Sequence, residues 1–551
     1  MTTEDPNTTE NISGLDGGGM GFDVDVLVVG AGPVGLALTL DLARRGVRVR
    51  LVDREEGTFP GSRAKGVQPR TLEVFDDLGV LDAALAAGDR YPPMGLHLGP
   101  FSKKWVMQKP LPTDPTTPYP DILLLPQSAT TAILRDAVEA HSVQIGFGIG
   151  VEGVDQDAQS ATALLSNGEQ VRVRYLVGAD GGSSTVRKSC GLRFEGATDE
   201  SDRMIIVDGA IDGLSRDRWH VWPRAGGRFV GACPLPGGDQ FQLMIKLRPD
   251  DPVDLTDPAL AALFDRLVGG SLRLRNITWS SLFRPNVRLA EHYCKGRVLL
   301  CGDAAHVHTP AGAEGLNTGV QDAYNLGWKL EQVLAGAPEG LLGSYEGERR
   351  PVAAQVLGRS TELYEGLKRV RPSKFTRGGE DRQLGISYYG GPLAPTDSGQ
   401  TVTLRVGDRA PDAFLPHPSS RPTRRLFDLY RGPHFTLLAF GEQASVALRD
   451  IAWPSRGTKL HRHTATRRAV PVGPAEEALL TAYGITGDTL LLIRPDGYIG
   501  HIDTAGWDTR LDSVARRMTP AAQTTTLCPR GTAAAAHPSP SGGRKPDGDR
   551  V

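Results

Sequence analysis

Three glycines and a carboxylate supply the first chemistry in this chain. Gly30, Gly32 and Gly35 stand at G-x-G-x-x-G spacing between an apolar run, VDVLVVG, and a helical pattern opening at Pro33, PVGLALTLDLARRG. Asp53, followed by Arg54, closes a second apolar run about 20 residues on. Gly30 permits a tight turn, Gly32 lets the backbone approach a pyrophosphate, and Gly35 lets the helix pack closely on the strand. The helix N-terminus attracts the anion, and Asp53 can accept hydrogen bonds from a ribose hydroxyl. Gly148, Gly150 and Gly153 repeat the spacing, but a polar stretch without helical period follows them. They are expected to be turn and strand residues.

Two later segments narrow the ligand. RVRYLVGADGG is a strand ending at Asp180, followed by a Ser-rich helix start and Arg187. GRVLLCGD is a strand ending at Gly302 and Asp303; a loop with Pro310 and Gly312 follows, then a helix opening near Gly315, Leu316 and Asn317. An Asp at the end of a buried strand can hydrogen-bond the ribityl chain of a flavin. The N–H groups of a new helix can meet the electron-rich edge of an isoalloxazine. Together these point to FAD. His306 and His308 flank Val307 in the same loop, but two His fall short of the three or four protein ligands of a metal site, so both read as structural and no metal is expected.

With these motifs in order, the chain resembles the group A flavoprotein monooxygenases of the para-hydroxybenzoate hydroxylase type. Its three-domain layout is similar to that of the aromatic polyketide hydroxylases and rifampicin monooxygenases. The resemblance implies that Gly30, Gly32, Gly35 and Asp53 hold the ADP half of a noncovalent FAD, and that Arg63 and Gln127 contact the cofactor. It further implies that Asp180 serves FAD and NAD(P)H, that Asp303 meets the ribityl region, and that Pro310 lines the isoalloxazine, whose pyrimidine edge meets Leu316 and Asn317. Ala129 departs from the family, where Glu often follows the Gln.

The implied reaction is reduction of FAD by a transient NAD(P)H, formation of a flavin C4a-hydroperoxide with O₂, and oxygen transfer to an activated, usually phenolic ring. The cofactor carries the chemistry, and no nucleophile arrangement is found in the chain. An aromatic substrate is expected between the flavin and the sheet bearing Trp219, Trp222, Arg224 and Phe229, with Trp222 and Arg224 as candidates on the substrate side. No carboxylate-clamping Ser and Arg pair aligns, which favours a polycyclic, polyketide-type substrate over a small benzoate. Alternatives on the same scaffold are Baeyer–Villiger oxygenation and antibiotic inactivation. A halogenase is disfavoured because WHVWPR does not reproduce W-x-W-x-I-P, and a non-catalytic flavin-binding protein is the reading from another class.

The elements that must position these residues follow from pattern. A chain of 551 residues has room for two to four domains. Residues 23–194 and 291–370 alternate buried-strand runs with helical patterns, giving a split, Rossmann-like α/β domain for FAD. Residues 195–290 alternate in short runs such as RMIIVDGAI and DQFQLMIKL, which predicts an inserted, mostly antiparallel β-sheet domain for substrate. Residues 371–400 read as a linker, and 401–518 as a C-terminal thioredoxin-like domain. No cysteine lies between Cys301 and Cys528, so that domain is expected to give structural support or dimerisation and not thiol chemistry. Residues 1–22 and 519–551 are polar or low in complexity and are expected to be disordered. The net charge of −2 carries no basic block for nucleic acid, and no apolar run is long enough for a membrane helix, so a cytoplasmic enzyme is expected.

Overall fold

The structure, a computed structural model, describes residues 21–521 apart from 100, 113, 310–311, 369–377, 397–402, 417–423, 469–472 and 505–506. Residues 1–20 of the leader, the tail beyond 521 and Pro310 therefore lie outside the described residues.

The apolar runs at the front of the chain form the centre of a sheet. Val24–Val29 pairs in parallel with Val49–Asp53 on one side and Gln170–Gly178 on the other. Val298–Leu300 extends the sheet beside Gln170–Gly178, and Ile145–Phe147 extends it beside Val49–Asp53. Because these strands run in one direction, Gly30, Asp53, Asp180 and Gly302 all fall at one edge. This is where open α/β sheets bind ligands. The helices Pro33–Arg44 and Gly315–Leu334 pack against each other over the sheet, with Leu36, Leu38, Val320 and Leu326 in the core.

The second sheet has seven strands, in the order Arg273–Phe283, Met204–Asp212, Gln240–Lys246, Phe229–Pro234, Trp219–Pro223, Met94–Leu98 and Phe101–Trp105. All pairs are antiparallel except Trp219–Pro223 with Met94–Leu98. The sheet thus extends outside 195–290 and takes two strands from the first segment of the chain. Those strands alternate weakly, and Phe101–Trp105 is an exposed edge carrying Lys103 and Lys104, so their sequence gives little burial signal. The helix Asp257–Val268 covers one face of this sheet, where Val207, Leu243, Val230 and Trp222 meet Leu260 and Phe264.

The third sheet orders Leu460–Thr466, Phe435–Phe440, Thr489–Ile493 and Ile499–Asp503, with one parallel and two antiparallel pairs, as a thioredoxin-like unit requires. One face of this sheet joins the core of the FAD domain. Phe435 meets Trp328 edge to face with ring centroids 5.6 Å apart. Residues 378–396 of the stretch read as a linker are built in as well: Arg382 donates to the carbonyl of Pro120, Gln383 accepts from Gln321, and Tyr388 packs against Tyr498 with its ring tilted. At the C-terminus, packing continues past 518, since Thr519 is buried and its hydroxyl donates to the Ala515 carbonyl.

Candidate active site at the strand ends

Each fingerprint glycine has a separate reason to be glycine. Gly30 sits at φ 106°, and a Cβ there would lie 2.4 Å from the Ala179 carbonyl oxygen, on the neighbouring strand end. A Cβ on Gly35 would lie 1.8 Å from the Gly30 oxygen, so helix and turn touch there. At Gly32 a Cβ would meet nothing within 4 Å among the described residues, which leaves the backbone open at the start of the helix. Turn, packing contact and open approach match the fit that a dinucleotide pyrophosphate needs. Asp53 accepts from the N–H groups of Ala31 (2.6 Å) and Glu55 (2.9 Å), which fixes its carboxylate at the turn. Arg54 is exposed and pairs only loosely with Glu55 at 3.2 Å. The second glycine triple is a turn at Gly148, φ 71°, leading into the strand Val151–Gln156 that holds Gly153.

The two Asp motifs are locked to each other. Asp180 Oδ2 accepts from Thr185 N (2.7 Å) and Val186 N (3.2 Å), while Oδ1 is buried without a hydrogen-bond partner among the described residues. Arg187 then donates to the carbonyls of Gly182 (2.9 Å) and Ala304 (2.8 Å), so the loops after both strands are tied together. Asp303 is open by area, yet the protein around it raises its carboxyl above the usual range; His306 and Arg63 partly offset that rise. Arg63 therefore stands within electrostatic reach of Asp303. Gln127, the first residue of the helix Gln127–Ala140, accepts from the Ala64 N–H at 3.4 Å and adjoins the same loop.

The loop before the helix Gly315–Leu334 is built from positive φ values, 91° at Gly312 and 54° at Ala313. Asn317 ties this loop to the segment Gly66–Gln68: Nδ2 donates to Gly66 O (2.8 Å) and Ala313 O (2.7 Å), and Oδ1 accepts from Gln68 N (2.8 Å). That leaves the first N–H groups of the helix, including Leu316, as donors with no acceptor within the helix. Behind the loop, buried His306 Nε2 lies 2.6 Å from Asp322 Oδ2, and Arg349 Nε donates to Asp322 Oδ1 at 2.6 Å. Burial would raise the Asp322 carboxyl, but Arg349 and His306 hold it below its ordinary value. Arg349 also donates to Tyr388 Oη at 3.1 Å, so the loop is anchored into the packed stretch after the long helix. Burial pushes His308 down to about 4, and its ring lies against the start of the helix at Gly315.

The seven-stranded sheet faces this edge with the side that its covering helix leaves open. Alternation puts Trp219, Gly231, Asp208 and Gln242 there, and His220, Val230, Val207 and Leu243 on the core side. The loop from Phe59 to Lys65 lies on the open side: Asp208 accepts from Ser62 N (2.6 Å) and Oγ (2.5 Å), and Phe59 meets Trp279 at 5.1 Å. Both substrate-side candidates are corrected by this register. Trp222 is 7% exposed and stacks on His97 and His220 in the packed core, on the opposite side of the strand from Trp219. Arg224 donates to the carbonyls of Leu267 and Val268, closing the C-terminus of the helix Asp257–Val268. Ser62, Lys65, Gln68, Asp208 and Gln242 were not singled out in sequence. The signal that could have found the last two is a polar residue where a buried strand alternates, as in FQLMI.

Taken together, a dinucleotide edge with a flavin-type helix start, facing an aromatic-bearing sheet, is the arrangement expected of a flavoprotein oxygenase. Residues 23–360 match the family described as "FAD binding domain" and residues 403–522 match "Aromatic-ring hydroxylase, C-terminal", so the chain belongs to the FAD-dependent aromatic-ring hydroxylases. A "Flavin-dependent monooxygenase" of Mycobacteroides abscessus is 42% identical over 89% of this chain and 99% of its own length. A "Rifampicin monooxygenase" of Rhodococcus hoagii is 37% identical over 87% and 95%. Among solved structures, the anhydrotetracycline hydroxylase from Streptomyces rimosus superposes with a TM-score of 0.70 at 29% identity, covering 90% of this chain and 100% of its own. Aklavinone-11 hydroxylase, solved with FAD and aklavinone, gives 0.72 at 28% identity, covering 91% and 99%. The chain is an FAD-dependent monooxygenase.

Proposed function

We propose that the enzyme takes electrons from NADH or NADPH and one oxygen atom from O₂ to hydroxylate an electron-rich ring of a polycyclic, polyketide-type phenol in the cytoplasm. The observation that carries this reading is the juxtaposition of the FAD edge with the open, tryptophan-bearing side of the seven-stranded sheet, in a chain whose relatives include tetracycline-type and rifampicin monooxygenases. FAD, when bound, supplies oxygen activation. The fingerprint turn and Asp53 hold its ADP half, Arg63, Gln127 and Asp303 hold the middle of the cofactor, and the N–H groups at Leu316 and Asn317 hold its ring. The sheet orients the substrate and keeps water out. A phenolate donates more electron density to the attacked carbon than a phenol does, so stabilising that anion accelerates transfer.

The test is a panel of hydroxyanthraquinones and tetracyclic phenols with isotopically heavy O₂. Incorporation of one heavy oxygen, abolished when the phenol is masked as its methyl ether while NAD(P)H is still consumed, is expected. Tightly coupled oxygenation of the ether overturns the phenolate mechanism, and product structure then tells ring hydroxylation from insertion beside a carbonyl. Absence of substrate-dependent oxygenation across the panel overturns the reading itself.

A further inference from the structure

We propose that Lys65, seated on Trp219 and held by Gln242, forms the subsite for the ionised oxygen of the aromatic substrate. The inference rests on the monooxygenase reading and names a recognition element within it.

Lys65 is 7% exposed, and burying an ammonium is costly unless it is paired and hydrogen-bonded. Groups on the open side of the sheet hold it. Its Nζ lies 4.4 Å from the centroid of the Trp219 ring and donates to Gln242 Oε1. The amide nitrogen of Gln242 is spent on Ser62 Oγ (2.6 Å) and Arg63 O (3.2 Å), which turns its oxygen toward the lysine. Trp219 lies across the sheet in space left by Gly231, where a Cβ would be 3.2 Å from the indole nitrogen. That nitrogen is itself a buried donor with no hydrogen-bond partner among the described residues.

The subsite adjoins the ring-binding end of the cofactor edge. Lys65 immediately precedes Gly66, whose carbonyl accepts from Asn317, and a Cβ on Gly66 would lie 3.1 Å from Ala313 and 3.6 Å from Tyr91. The ammonium thus stands on the sheet side of the backbone that the flavin-loop helix grips. Two titratable groups feel its charge. Burial raises the Asp208 carboxyl above its usual range, with Ser62 and Lys65 pulling the other way, and burial pushes the Cys233 thiol up to about 11. Cys233 is therefore neutral near pH 7, and Asp208 is engaged by Ser62. Arg224, a cation from the same sheet, is committed to helix carbonyls on the other side.

The experiment uses the dihydroxyanthraquinone alizarin, whose colour reports ionisation, titrated against the FAD-loaded enzyme over a range of pH. The wild type is expected to bind the coloured anion at a pH about one unit below that of free alizarin, roughly a tenfold shift in its ionisation. Lys65→Met should abolish the shift with FAD content and flavin spectrum unchanged, and Lys65→Arg should restore part of it. An unshifted titration in the wild type, or the full shift retained in Lys65→Met, overturns the proposal. So does a Lys65→Met variant that alters the flavin potential and leaves the alizarin titration intact, because the lysine would then serve the cofactor. The heavy-oxygen panel keeps the two readings apart. If the wild type oxygenates a phenol and Lys65→Met keeps the alizarin shift, only this inference fails; if the wild type oxygenates none, the function reading fails.

Discussion

A Cβ placed on Gly35 would stand 1.8 Å from the Gly30 oxygen, whereas one placed on Gly32 would meet nothing within 4 Å among the described residues. The two alanine variants should therefore fail differently. Gly35→Ala forces helix and strand apart and should cost about 1–3 kcal/mol in the apoprotein, read as a lower thermal midpoint. Gly32→Ala should unfold like the wild type when FAD is stripped, yet retain less FAD through gel filtration, because the methyl group obstructs only the ligand. Equal loss of stability in both would contradict the open approach at Gly32. Arg224 gives a third test. Its removal leaves the Leu267 and Val268 carbonyls without their donor, so Arg224→Ala should lower stability by about 1–3 kcal/mol while the ratio of product to NAD(P)H consumed stays at the wild-type value. A change in that ratio at unchanged stability would return Arg224 to the substrate.

Between elements, the junction of the helices Gly315–Leu334 and Gly340–Lys368 with the third sheet is held by buried charge. Glu348 accepts from Arg494 (2.6 and 2.9 Å), Lys329 (2.7 Å) and Asn325 (2.8 Å). Burial would raise its carboxyl, but Arg494 and Lys329 override that and hold it at about 2, against an ordinary glutamate near 4.5. A carboxyl depressed on folding stabilises the protein above the unfolded value and ceases to do so as pH falls through the folded one. Glu348→Gln leaves buried Lys329 without its anion and Arg494 with Asp496 alone, and should cost about 3–5 kcal/mol at pH 7. The gap to the wild type, followed by denaturant unfolding, should narrow as pH falls from about 4.5 toward about 2. A gap independent of pH in that window would mean that Glu348 contributes through packing and not through charge.

For the molecule as a whole, the C-terminal unit is a structural member of the FAD domain. Phe435, Leu437 and Leu490 belong to the same core cluster as Trp328 and Leu326, and Arg409 of the third unit pairs with buried Glu73 of the first. A chain ending before residue 401 would expose that face, and it should be recovered as aggregate and not as a yellow monomeric protein, checked by size-exclusion chromatography. Soluble, FAD-loaded protein from that truncation would show the two cores to be independent.

The glycine fingerprint and the strand-end carboxylates were legible in the sequence because everything they need is local. A turn, a helix start and the carboxylate at a strand end are each specified within a few residues, and parallel pairing then brings Gly30, Asp53, Asp180 and Gly302 to one edge. The substrate side was not legible, for two physical reasons. Side chains alternate along a strand, so Trp219 and Trp222 face opposite sides, and only the placement of the helix Asp257–Val268 decides which side is core. Lys65 and Gln242 stand 177 residues apart and meet only when the loop from Phe59 to Lys65 lies down on the sheet. Residue type told which groups could bind an anion or a ring; tertiary packing decided that Arg224 spends its charge on helix carbonyls and that Lys65 turns toward the open side of the sheet.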